Sequence, residues 1–149
     1  MNVEGKIAVV TGAGQGIGRA IALQLASHGA ALVTADIKQE LADTVAAEIA
    51  ARRQESLPCR VNVSSLIECE ALMKAAADRF GRIDILVNNA GITRDMVLLR
   101  MSEQQWDDVI TVNLKGTFNC SKAALRYMFR QKNGRIINIA SVTGAMGNP

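Results

Sequence analysis

The run Thr11-Gly12-Ala13-Gly14-Gln15-Gly16-Ile17-Gly18 has the composition to hold a phosphate. The apolar stretch Lys6-Ile7-Ala8-Val9-Val10 precedes it, and the helical pattern Arg19-Ala20-Ile21-Ala22-Leu23-Gln24-Leu25-Ala26 follows. A glycine turn between a strand and a helix lets phosphates approach the backbone. The helix start then offers unpaired N–H groups and the positive end of its dipole. The spacing is G-x-x-x-G-x-G over Gly12, Gly16 and Gly18; Ile17 stands where G-x-G-x-x-G needs its third glycine. Asp36 ends the next apolar stretch, where a carboxylate accepts hydrogen bonds from the hydroxyls of an adenosine ribose. The same charge repels a 2′-phosphate, by about 4 kcal/mol at ~4 Å and an effective dielectric near 20, before screening. NAD is therefore favoured over NADP. The alternative role for Asp36 is to cap a loop.

Three further sites carry polar side chains where an open α/β sheet binds ligands. Asn88-Asn89-Ala90-Gly91 ends the fourth apolar stretch, and its two asparagines either bridge strands or meet a ligand. Asn113 interrupts the helical pattern of Val109, Ile110, Val112 and Leu114, which marks a bend or a bound water. Ser141 lies just past the fifth apolar stretch, placed to hydrogen-bond a substrate carbonyl or to cap a turn.

Strands and helices alternate around these residues. Strands are expected over Lys6–Thr11, Ala30–Ala35 with Asp36 at the end, Ser56–Val61, Ile83–Asn88 and Arg135–Ala140. Helices are expected over Gly16–His28 and about Glu40–Arg53. A third runs from a Ser65/Glu68 capping box to Phe80, stopped by Gly81. A long helical region runs from a Ser102/Gln105 capping box to Lys132, broken by Asn133-Gly134. Such alternation implies a parallel sheet with right-handed crossovers: a doubly wound, Rossmann-like α/β fold in three layers. No internal repeat or linker divides the chain, so residues 1–149 are read as one dinucleotide-binding domain.

Composition narrows the function classes. About half of the 149 residues are apolar, which suffices for a core, and the net charge is only +3. No basic block with interleaved aromatics points to nucleic acid, and no apolar run is long enough to span a bilayer. The N-terminus lacks a signal-peptide pattern. Three scattered cysteines, Cys59, Cys69 and Cys120, read as reduced thiols of a cytoplasmic protein without metal-ligand spacing. The one histidine, His28, precedes Gly29 and reads as a helix C-cap, which leaves no Ser-His-Asp triad and no histidine-rich metal site.

Four segments together resemble the short-chain dehydrogenase/reductase family. They are Thr11–Gly18, Asn88-Asn89-Ala90-Gly91, Asn113-Leu114-Lys115-Gly116 and Gly134-Arg135-Ile136-Ile137-Asn138-Ile139-Ala140-Ser141. Asn89–Asp95, with Leu99-Arg100-Met101 and Trp106, is similar to the 3-oxoacyl-[acyl-carrier-protein] reductases within it. The resemblance implies hydride transfer from NAD(P)H to a ketone, with a tyrosine donating the proton and a neighbouring lysine lowering that tyrosine's pKa. It implies that Gly12, Gly16, Ile17 and Gly18, with Gly14 and Gln15 of the same turn, hold the pyrophosphate. Asp36, with Ile37 beside it, holds the ribose. Asn62 and Val63 flank the adenine, although the family more often has Asp where this chain has Asn62. Asn89, Ala90, Gly91 and Val112 line the path to the nicotinamide. Ser141 orients the substrate carbonyl, and Asn113 holds a water of the proton relay.

The family's Tyr-x-x-x-Lys would fall just beyond Pro149. Tyr127 has the wrong spacing to Ser141, and Lys132 is five residues from it rather than four, so Tyr127 reads as a packing residue. The chain is therefore expected to be a piece of a longer protein, with five of the family's seven strands and no activity by itself. The fifth strand becomes a sheet edge, and the helix through Asn113–Arg130 loses a packing partner. The expected partners are a 3-oxoacyl thioester on an acyl-carrier protein, docked at Arg130 and Lys132, and further copies in a dimer or tetramer; the alternative for these cations is a solvated basic helix end that complements the helix dipole. The competing reading is a catalytically silent dinucleotide-binding module or association partner. A short-chain dehydrogenase acting on another alcohol or ketone is the other alternative.

Overall fold

A computed structural model describes residues 3–147. Five parallel strands form one sheet in the order β3-β2-β1-β4-β5: β1 (Ile7–Thr11), β2 (Ala31–Asp36), β3 (Ser56–Arg60), β4 (Ile85–Asn88) and β5 (Arg135–Asn138). The chain runs outward from β1 to β3, then returns to place β4 on the other side of β1. The reversal opens a crevice between the carboxyl ends of β1 and β4, the position at which doubly wound sheets bind ligands. Val9 lies level with Val33 on one side and Leu86 on the other.

Both faces of the sheet are covered, as a parallel sheet requires. Ala8, Val10 and Leu32 face a core shared with α1 (Gly16–Ser27) and α2 (Gln39–Ala51). Val9, Val33 and Leu86 face a second core with α3 (Leu66–Phe80) and α5 (Gly116–Gln131). Alternate residues of β1 thus serve opposite layers, and the whole strand is buried. β5 is largely exposed and forms an edge, as expected.

The strand and helix ends depart from the sequence expectation by a few residues. The long helical region is three elements: α4 (Glu103–Val109), a π-helical segment Ile110–Lys115, and α5. Lys132 is the left-handed C-cap of α5, and α6 (Thr143–Met146) follows β5. The Ser102/Gln105 capping box is present in full. The Ser65/Glu68 box is half present: Ser65 Oγ accepts from the Glu68 N–H, but the Glu68 carboxylate turns to the Asn62 N–H at 2.9 Å. Arg60, 3.4 Å from that carboxylate, helps hold it there. His28 is the C-cap of α1, its Nδ1 2.9 Å from the Gln24 carbonyl. Tyr127 is half-buried against the α3/α5 core, a packing position.

Candidate functional site

A cleft of about 410 Å³ opens at the reversal point, and its floor is the glycine turn. Gly12, Gln15, Gly16 and Ile17 line it. Gly16 holds φ +54°, a conformation that costs other residues energy, and a Cβ there would point into open space. A Cβ on Gly18 would stand 2.1 Å from the Gly12 carbonyl oxygen and 2.4 Å from Asn89 Nδ2, so this glycine permits close packing behind the turn. The turn and α1 meet without a side-chain cap. The first N–H groups of α1 are therefore left for an anion in the cleft.

Asp36 shapes the turn from the side. Its Oδ2 accepts from the Gly14 N–H at 3.0 Å and its Oδ1 from the Lys38 N–H at 3.1 Å. It lines the cleft although it is only 8% exposed. A carboxylate has about four acceptor positions, so roughly two remain for a ligand. Gly14 and Gly18 do not line the cleft; they sit behind its floor. Ile37 continues the wall, exposed to solvent, followed by Val61, Asn62 and Val63. Asn62 Oδ1 accepts from the Ser64 N–H at 3.0 Å, a local turn that fixes this corner. The Val63 carbonyl accepts from Asn119 Nδ2 at 2.9 Å and from the Cys69 thiol at 3.4 Å.

The opposite wall is built on the asparagine pair. Asn89 Nδ2 donates to the carbonyls of Thr11 (3.0 Å) and Gly12 (3.2 Å), which bridges the strand ends, and Asn89 also lines the cleft. Asn88 points the other way, its Nδ2 bonded to Ser121 Oγ at 3.0 Å and Asn138 Oδ1 at 2.8 Å. Its Oδ1 is buried without a partner among the described residues. Thr11 joins the two strand ends: its hydroxyl donates to the Val87 carbonyl and accepts from the N–H groups of Asn89 and Ala90, both at 3.1 Å. Ala90, Gly91, Ile92 and Val112 complete the wall. Asn113 stands on the π-helical segment and clasps Ile92. Its Oδ1 accepts from the Ile92 N–H at 2.9 Å and its Nδ2 donates to the Ile92 carbonyl at 3.0 Å. An extra residue in a helical turn often marks a functional position.

Twelve of the fourteen residues expected at a cofactor thus line one cleft, and the other two support its floor. Val61 and Ile92 line it without having been expected. Both directly adjoin expected residues, Asn62 and Gly91, the one signal that points to them. Ser141 is exposed beyond β5 and lies outside the cleft lining, as does Asn113. Arg130 and Lys132 are exposed near the end of α5; Arg130 shares a groove with Lys122, Leu125, Arg126 and Phe129.

The short chain dehydrogenase family model matches residues 6–149. The 3-oxoacyl-[acyl-carrier-protein] reductase FabG of Staphylococcus aureus (strain Mu50) is 52% identical over 145 residues, 97% of this chain and 59% of that protein. The 3-oxoacyl-[acyl-carrier-protein] reductase of Synechocystis sp. is 50% identical over the same shares of each chain. FabG of Thermotoga maritima is 44% identical over 149 residues, all of this chain and 61% of that protein. The chain thus spans about three-fifths of the length of the curated relatives it matches. With the parallel sheet, the glycine turn and the asparagine pair in place, the family match is decisive: this chain belongs to the short-chain dehydrogenase family.

Proposed function

We propose that the cleft holds a nicotinamide dinucleotide, NAD(H) in preference to NADP(H), in an oxidoreductase that reduces a 3-oxoacyl thioester carried on an acyl-carrier protein. The observation that carries this reading is the uncapped start of α1 beside a buried carboxylate, Asp36, that keeps acceptor positions open toward the cleft. The helix start suits a pyrophosphate, and Asp36 suits a ribose bearing two free hydroxyls. When bound, the nicotinamide supplies hydride chemistry to a ketone. Gly16 and Ile17 bind the phosphates, Asn62 and Val63 flank the adenine, and Asn89, Ala90, Gly91 and Val112 form the path toward the reacting ring. Ser141 positions the substrate carbonyl, and Asn113 joins the proton relay. The substrate class rests on the names of the relatives, and Arg130 and Lys132 are the proposed docking residues for the acidic carrier.

Fluorescence titration of the purified chain with NADH and NADPH tests the reading. NADH is expected to bind at least tenfold more tightly, and equal affinities overturn the Asp36 argument. Residues 1–149 contain one tyrosine, and Tyr127 is engaged in the core. These residues alone are expected to bind the dinucleotide without oxidising it in the presence of an acetoacetyl thioester. Robust turnover would make Tyr127 the first proton donor to examine. In a protein that turns over, carrier docking predicts a salt-dependent KM for the carrier-linked thioester only. Equal sensitivity of a small free ketone counts against it.

A further inference from the structure

Two of the three free cysteines meet in the core. Cys69 on α3 and Cys120 on α5 are 0% and 1% exposed, and their Sγ atoms lie 3.5 Å apart. The pair is one contact behind the cleft. The Cys69 thiol donates to the carbonyl of Val63, a residue of the cleft wall. A Cβ on Gly116, four residues before Cys120 on the same helix, would stand 2.7 Å from Val63 Cγ2, so α5 leaves no slack there. Closing the two sulfurs to a bonded distance near 2.05 Å brings them about 1.5 Å closer. That movement draws α5 and α3 together and takes the S–H donor away from Val63.

We propose that Cys69 and Cys120 are a reversible disulfide pair, oxidised by a hydroperoxide, whose closure weakens dinucleotide binding at the neighbouring wall; the second half rests on the dinucleotide reading of the cleft. The Cys69 sulfur attacks the terminal peroxide oxygen: an S–O bond forms, the O–O bond breaks, and the departing alkoxide takes up the thiol proton. The Cys120 sulfur then attacks the Cys69 sulfur: the S–S bond forms, the S–O bond breaks, and water leaves with the Cys120 proton. Two thiols are oxidised by two electrons, and the hydroperoxide is reduced to an alcohol and water. A dithiol reverses the reaction by exchange. The hydrogen bond from Cys120 lowers the pKa of Cys69, and the same bond, with burial, raises that of Cys120, which fits Cys69 as the attacking sulfur. Burial of both makes the reaction slow and dependent on opening of the α3–α5 seam.

The test treats the reduced chain with hydrogen peroxide and follows intact mass, a non-reducing peptide map and NADH affinity. The expected product loses two hydrogens and links the Cys69 and Cys120 peptides. It binds NADH about two- to tenfold more weakly, the scale of one modest hydrogen bond, and dithiothreitol restores both mass and affinity. Cys59→Ser should behave like the parent. Cys120→Ser keeps the Cys69 donor, so before oxidation it should bind NADH normally, and with peroxide it should stop at an oxygen adduct on Cys69 and form no link. Oxygen adducts without a link, or a link through Cys59, overturn the pairing. A link that leaves affinity unchanged overturns the coupling to the cleft. If the reduced chain binds no NADH, the dinucleotide reading and the coupling fall together, while the peptide map still decides the pairing.

Discussion

At the scale of single residues, Asp36 carries two duties that substitution can separate. Its carboxylate anchors the buried Gly14 N–H and also places negative charge on the cleft. Asp36→Asn keeps an acceptor for the buried Gly14 N–H, gives up the part-buried bond from the Lys38 N–H and removes the charge. It is expected to leave the melting temperature within a few degrees of the parent while narrowing the NADH over NADPH preference. Asp36→Ala also strands the Gly14 N–H and is expected to cost about 1–3 kcal/mol of stability. Paired thermal melts and titrations check both; an unchanged preference in the Asn variant would refute the charge argument. The glycines divide in the same way. Gly18→Ala drives a methyl into the Gly12 carbonyl, and overpacking against fixed backbone costs typically about 1–3 kcal/mol or more. Gly16→Ala meets no atom and pays only the left-handed backbone cost, about 1–2 kcal/mol, but its methyl occupies ligand space. Urea titration should therefore rank Gly18→Ala as the more destabilised, with Gly16→Ala losing more affinity than its stability explains. The glycine spacing was legible because it is local. The Gly14–Asp36 bond was not, since it joins residues whose proximity only the parallel pairing of β1 and β2 creates.

At the scale of elements, the passage from α4 through the π-helical segment into α5 departs most from the sequence expectation. Apolar periodicity over Val109–Leu114 reads as continuous helix, and nothing in residue propensity distinguishes a π turn from an α turn. The strand-helix alternation and the Ser102/Gln105 cap were legible because each rests on residues a few positions apart. The Glu68 side chain leaves its capping-box position because a competing partner, the Asn62 N–H, comes close only when β3 has ended beside α3. Asn113 stands out in the sequence as an interruption, but its partner Ile92 lies 21 residues away. The clasp ties the start of the Gly91–Met101 loop to the helical layer. Asn113→Ala is expected to release it: the Ile92 amide should exchange hydrogen at least tenfold faster while the urea midpoint barely moves, because both partners lie near the surface. An equal loss of protection throughout α5 would instead assign Asn113 to global stability.

At the scale of the whole molecule, two cores are closed and one helix is half covered. α5 buries Gly116, Asn119, Cys120, Ala123, Ala124 and Met128 against α3 and the sheet. Its other face presents Phe118 at 58% exposure, Leu125 at 51% and Phe129 at 85%, with Leu114 of the π-helical segment at 65%. The spacing 114, 118, 125, 129 puts all four on one stripe. Such a stripe is expected to find another surface, and further copies of the chain are the proposed one. Sedimentation velocity should show concentration-dependent association that Phe118→Glu combined with Phe129→Glu abolishes without lowering the melting temperature. Association that persists in the double variant would move the interface elsewhere, with the open edge of β5 the next candidate. Among the described residues no helix is long and apolar enough to cross a membrane, so the stripe is not a spanning segment.

The Thr11 hydroxyl has a consequence for the thermodynamics of binding. With one donated and two accepted hydrogen bonds, it locks the carboxyl ends of β1 and β4 at a fixed separation, and Asn89 adds two more links across the same gap. The crevice therefore keeps its width whether or not a ligand is inside. A molecule entering it spends little of its interaction energy on ordering the protein, which leaves more of that energy as affinity. Encounter rather than closure then sets the association rate at this end of the cleft. Any slow step belongs to the Gly91–Met101 loop on the far wall, tied there by the Asn113 clasp and by the ion pair of Arg94 with Asp108 of α4.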